Sequence, residues 1–175
     1  MGRPRQPYRR VADEVGESDY LKTGDIRPLQ GETLMFLRNA VDKAYDEAVK
    51  KADAGQLRIR LSREEAIGNK VDSDVRQNLR DLFSTSGVPF GAKQDITINN
   101  RSYETSPDGM RYRIPDARVG DIVYDWTLES KDLSYPQVGA FFRTDSQPSA
   151  VIIIRPSRLG GDGTYLIRRP AKIRQ

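Results

Sequence analysis

Residues Ala150–Ile154 read AVIII and run straight into Arg155. A short, unbroken apolar run of this kind reads as a strand buried on both faces. A strand so buried needs cover on each side, and the remaining sequence must supply it.

Helical cover is legible in two places. Over residues 33–54, Leu34, Leu37, Val41, Ala44, Tyr45, Ala48 and Ala52 recur at spacings of three and four. Thr33 can cap the start and Gly55 the end. A second helix is predicted from Ser62, where Ser62-Arg63-Glu64-Glu65 forms a capping box. Its predicted buried stripe is Ile67, Val71, Val75, Leu79 and Leu82, and Gly87-Val88-Pro89 closes it. Glu64, seven residues before Val71, leans toward the buried side, whereas Glu65, Asp72 and Arg76 share another face. Between the helices, Leu57, Ile59 and Leu61 alternate with Gln56, Arg58 and Arg60, which predicts a short strand.

Three strands are predicted at 95–99, 111–116 and 122–128, joined by turns at 106–109 and 118–121 as an antiparallel meander. Residues 135–143 predict a short helix with Val138, Phe141 and Phe142 inward. Gly160-Gly161-Asp162-Gly163 turns the chain into a last edge strand at 164–167. The fold class expected is α+β in three layers, a mixed central sheet flanked by helices with an N-terminal helical extension. Residues 1–30 mix Pro, Gly and charge without periodicity and read as an extended or flexible arm. Residues 31–175 form the domain, with its core at 62–156.

Composition narrows the chemistry. The chain has no cysteine and no histidine. That excludes thiolate catalysis, zinc-thiolate sites, Ser-His-Asp triads and histidine-dependent nucleases. Catalysis would have to rest on carboxylates, lysine, arginine or hydroxyls, a set suited to a hard cation such as Mg2+ or Mn2+. The formal net charge is +4. Arg155, Arg158, Arg168, Arg169, Lys172 and Arg174 stand against a single acid, Asp162, at the C-terminal end. Arg3, Arg5, Arg9 and Arg10 mark the other end, so DNA or RNA is a natural partner. Arg155, Arg158, Arg168 and Arg169 are the candidate phosphate contacts. No apolar run is long enough for a membrane span or anchor, and the basic N-terminus lacks the apolar segment of a signal peptide.

Carboxylates concentrate in RYRIPDARVGDIVYDWTLESK, residues 111–131. On an extended strand Asp125, Thr127, Glu129 and Lys131 would share one face, opposite Tyr124, Trp126 and Leu128. Asp116 follows Pro115 and could serve a turn. Asp125, amid bulky apolar neighbours, needs a partner. In a hairpin, Asp116 at the end of one strand can approach an acid on the next. Two carboxylates and a lysine beyond them meet the needs of metal-assisted phosphodiester hydrolysis.

Pro115-Asp116 followed by Glu129-Ser130-Lys131 resembles the PD-(D/E)xK signature of the restriction-endonuclease-like superfamily. The order helix, three-strand meander, helix, strand is similar to that superfamily's core, and the resemblance spans roughly residues 62–156. Within it, RIPDARVGD, DWTLESK, PQVGAFF and VIIIRP most resemble the C-terminal nuclease toxin domains of bacterial polymorphic toxins. The resemblance implies a metal-dependent nuclease with Asp116 and either Asp125 or Glu129 as metal ligands. Lys131 would be the catalytic lysine, Gln137 the glutamine of the following helix, and Glu64 a candidate helix acid. It departs from the usual motif at Thr127, which stands where lysine would follow Asp125, so Lys131 would have to swing back. It also implies a cognate immunity protein, and delivery as a secreted effector domain acting in a target cell's cytoplasm. Two other functions fit the composition. One is a non-catalytic basic nucleic-acid-binding protein. The other is an ADP-ribosyltransferase-type toxin, for which no Ser-Thr-Ser strand before a Glu-x-Glu loop is evident.

Overall fold

A computed structural model describes residues 19–105 and 111–172. The chain forms α1 (Asp19–Thr23), α2 (Ile26–Asp53), α3 (Arg63–Thr85), β1 (Ile96–Ile98), β2 (Ser102–Tyr103), β3 (Tyr112–Arg113), β4 (Ala117–Val119), β5 (Ile122–Trp126), α4 (Pro136–Phe141), β6 (Ala150–Ile154), a 3-10 turn (Ser157–Leu159) and β7 (Thr164–Arg168). The fold is α+β. A helical hairpin, α2 and α3, packs on a mixed five-strand sheet ordered β1-β4-β5-β6-β7, and a short helix lies on the other face.

The two faces of β5 and β6 sort the core into two clusters. Tyr124, Trp126, Ile152 and Ile154 face the hairpin, where they meet Leu37, Val41, Val71, Val75 and Leu79. Val123, Val151 and Ile153 face α4 and pack on Val138, Phe141 and Phe142. All of β6 is buried, as the AVIII run predicts. It pairs parallel with β5 and antiparallel with β7, which closes the edge. Ala40, Ala44 and Ala48 put small side chains on the buried side of α2, which lets a helix approach closely.

The helix starts follow from capping. Ser62 Oγ accepts the Glu65 N–H at 3.0 Å. The reciprocal half of the box is replaced, because Glu65 accepts from the Asn69 side chain. The α3 stripe is Ile67, Val71, Val75, Leu79 and Phe83; Phe83, a full turn beyond Leu79, takes the place expected for Leu82. Helix α2 begins earlier than its periodicity suggests. Asp25 caps it by accepting the Arg27 N–H, and Pro28 sits in the first turn, where no N–H is needed. The extended arm expected over 1–30 is therefore corrected for residues 19–30, which are largely helical and bury Leu29. The rest of the arm lies outside the described residues.

The strand expected at 57–61 does not form. That segment only links the helices of the hairpin, with no neighbouring strand to pair, and Ile59 and Leu61 are exposed. The meander exists as β1-β4-β5, but its middle strand is Ala117–Val119. The stretch 111–116 is divided. Tyr112–Arg113 pairs with β2 in a separate ribbon. Pro115 lacks the N–H a continuing ladder would require. The β4–β5 loop is Gly120-Asp121, with Gly120 at φ 59 as a two-residue hairpin demands. A Cβ at Gly120 would also meet Ile26 and Gln30 at 3.2 Å. The turn expected at 106–109 lies outside the described residues.

Candidate active site

The β4–β5 register decides where the acids meet. Ala117 pairs with Tyr124, so the next step of the antiparallel ladder sets Asp116 opposite Asp125. Asp116 is still anchored to β1, because its carbonyl accepts the Asn99 N–H. Its side chain then takes over where β4 ends. Asp116 Oδ2 accepts the Trp126 N–H at 2.9 Å, a donor that a longer β4 would have met with a carbonyl.

Asp125 shares the α4-facing side of β5 with Val123. It is only 2% exposed. Strand β5 stops at Trp126, and Thr127 Oγ1 accepts the Glu129 N–H, which turns the chain out of the sheet. Lys131 then folds back. Its Nζ donates to Asp125 Oδ2 at 2.7 Å and to Gln137 Oε1 at 2.8 Å, and the residue is 8% exposed. Tyr165, on β7, holds the Lys131 main chain from both sides. Its hydroxyl accepts the Lys131 N–H at 2.8 Å and donates to the Lys131 carbonyl at 2.7 Å.

Burial pushes the Asp116 carboxyl well above the usual carboxylate range, and the charges of Asp125 and then Asp72 push it further. Burial also raises Asp125, against the opposing pull of the Lys131 ammonium and of a hydrogen bond with Asp116. The Lys131 ammonium, 2.7 Å from Asp125, supplies the positive charge beside the pair.

Helix α3 faces this site with residues other than the one sequence reasoning favoured. Glu64 is exposed in the first turn. The opposite assignment holds for the face of Glu65, Asp72 and Arg76. Asp72 accepts the Trp126 indole N–H at 3.1 Å, pairs with Arg76, and acts electrostatically on both site acids. Glu65 Oε2 and Arg76 Nε are buried without hydrogen-bond partners among the described residues. Heptad spacing puts Glu64 in line with Val71, but in the first turn, beside the loop, it is exposed. The spacing Glu65, Asp72, Arg76 was the usable signal. Tyr165 carried none, because its role depends on sheet order.

Asp116, Asp125, Lys131 and Gln137 are thus brought together, and Glu129 is not. The shared face expected for Asp125, Thr127, Glu129 and Lys131 ends at Thr127, and Glu129, exposed, accepts from the Tyr135 hydroxyl at 2.7 Å. The arginines divide similarly. Arg155 lies at the site's end of the sheet and donates to the Leu128 carbonyl at 3.2 Å. Arg158 pairs with Asp46 on α2. Arg168 pairs in register with Ala150 and Arg169 donates to the Pro148 carbonyl, so both lie at the far end of β7 from Tyr165.

Among the described residues no cluster of three or more acids is arranged to hold a metal ion. Asp116 and Asp125 are two opposed carboxylates, and Mg2+ usually takes one or two from a protein while keeping water and substrate oxygens. Comparisons of the chain with protein families, with curated proteins and with solved structures find no match.

Proposed function

We propose that the chain is a metal-dependent nuclease that hydrolyses phosphodiester bonds of DNA or RNA. The observation that carries this reading is the pair Asp116 and Asp125, opposed across adjacent strands with the Lys131 ammonium on Asp125. A buried acid, Asp125, facing a half-buried one, Asp116, is costly for a scaffold and useful for binding a cation. A divalent ion held there would polarise a phosphoryl oxygen and lower the pKa of bound water. Asp116 and Asp125 are the residues that would hold it.

Lys131 has its own task. Its ammonium is fixed by Asp125 and Gln137, so it can stabilise negative charge on a phosphate at the carboxylate pair without reorganising. Gln137 keeps it oriented, and Tyr165 keeps its main chain in place. Arg155, at the same end of the sheet, is the arginine best placed to meet substrate phosphate.

The resemblance to polymorphic-toxin nuclease domains supports a role as the toxic effector domain of an interbacterial toxin. Such a domain would be neutralised by an immunity protein and act in the target cell's cytoplasm. The net charge of +4 supports a polyanionic substrate. Among the described residues no helix is long and apolar enough to cross a membrane.

Incubation with plasmid DNA and total RNA tests the reading. Cleavage is expected with Mg2+ or Mn2+, and its loss with EDTA and in Lys131→Met. Cleavage that survives EDTA, or its absence with every divalent ion tried, overturns it.

A further inference from the structure

The two-stranded ribbon beside the site is inverted relative to ordinary surface chemistry. Ser102 pairs with Arg113 and Tyr103 with Tyr112, so alternation assigns the side chains to two faces. The inner face carries Ser102, Glu104 and Arg113 and is bound to the body. Ser102 Oγ donates to Asp145, and Glu104, itself buried, pairs with Arg113 at 2.7 Å and Arg143 at 3.7 Å. The outer face carries Arg101, Tyr103, Tyr112 and Ile114, all exposed, with Tyr103 at 45% and Tyr112 at 39%. The two rings meet edge to face at 6.2 Å, and the Arg101 guanidinium lies 4.5 Å from the Tyr112 ring centre. A ribbon needing only solubility would put its polar residues outward and its apolar ones inward.

We infer that this outer face is a stacking platform for unpaired bases of a single-stranded nucleic acid that runs on to the carboxylate pair. The proposal rests on the nuclease reading and names its substrate class. Exposed rings with an adjoining cation are the chemistry that grips a single strand, since every base offers a face to stack. Arg101 adds the charge that complements phosphate. A duplex keeps its bases stacked on each other and offers such rings nothing.

Position supplies the second argument. Asp116 lies four positions after Tyr112, so their Cα atoms lie within about 14 Å even with the chain fully extended. The ribbon is tied to the segment just after α4, through Arg143 and the Glu104–Thr144 bridge. The Asp125–Lys131–Gln137 contacts lie on the α4 side of the same sheet. A strand stacked on Tyr103 and Tyr112 therefore has a short path to those groups.

The test is fluorescence anisotropy of labelled oligothymidylate and oligouridylate, and of a duplex of equal length, at fixed salt in EDTA. Binding is thereby read without cleavage. Wild type is compared with the double variants Tyr103→Ala/Tyr112→Ala and Tyr103→Phe/Tyr112→Phe. Loss of stacking is expected to weaken single-strand binding by roughly 5- to 150-fold for each base involved. The phenylalanine variant, which keeps both rings, is expected to bind as wild type, and duplex affinity to stay unchanged in all three proteins. Single-strand affinity unchanged in the alanine variant, or an equal loss for duplex, overturns the platform. Failure of the nuclease reading looks different: the rings matter for binding, yet wild type cleaves nothing with any divalent ion.

Discussion

Replacing Lys131 by methionine keeps the apolar stem and removes the ammonium. The ammonium is almost fully buried and donates at 2.7 Å to Asp125 and at 2.8 Å to Gln137. Its loss leaves a buried negative charge without a counter-ion and an amide oxygen without a donor. Breaking a buried pair by removing one partner costs about 3–5 kcal/mol. For a chain of this size about 2–4 °C of Tm follows each kcal/mol, so a fall of roughly 6–20 °C is expected near pH 8. The cost depends on pH. Without Lys131 the Asp125 carboxyl is raised still further above its unfolded value of about 3.9. The folded state then binds the extra proton, so stability is highest below that value and is lost as pH rises through the folded pKa. Thermal melts of wild type, Lys131→Met and Lys131→Met/Asp125→Asn, at pH 5 and pH 8 in EDTA, measure this. The single variant is expected to be worst at pH 8, and the double variant to recover much of the loss. A penalty within about 1 kcal/mol at pH 8, the size expected of an exposed pair, refutes the reasoning.

Two further outcomes follow from the same geometry. Asp116→Asn keeps an acceptor for the Trp126 N–H and removes a group whose pKa burial raises. Ionising such a group costs stability increasingly as pH rises above about 4, so the variant is expected to exceed wild type by at least ~2 °C at pH 8 in EDTA and to lose that margin at pH 4. Tyr165→Phe removes both hydrogen bonds to the Lys131 main chain and is expected to cost about 1–3 kcal/mol in urea melts, because the buried groups are left unpaired.

The sheet was legible where local pattern and burial agreed. Ala150–Ile154 is apolar throughout and buried throughout, and the α3 stripe differs only in Phe83 for Leu82. Legibility failed where a segment's fate depended on a distant partner. Leu57, Ile59 and Leu61 alternate like a strand but have no strand beside them. Residues 111–116 look like one strand in local pattern, but the missing N–H of Pro115 divides the stretch. Which acid lies opposite Asp116 could not be read in sequence because it turns on where β5 ends. The hydroxyl of Thr127 ends it, so Glu129 leaves and Lys131 returns. The face of Asp72 is legible from its spacing with Glu65 and Arg76, but its contact is not, because its partner Trp126 lies on another element, 54 residues away.

Calorimetric titration of Mn2+ near neutral pH, on wild type and on Asp116→Asn, Asp125→Asn and Glu129→Gln, bears most directly on the central claim that Asp116 and Asp125 form one cation site. A single site is expected in wild type and in Glu129→Gln, with binding lost in the other two variants. Binding that survives Asp125→Asn but disappears in Glu129→Gln, or that is unchanged in all three variants, contradicts it.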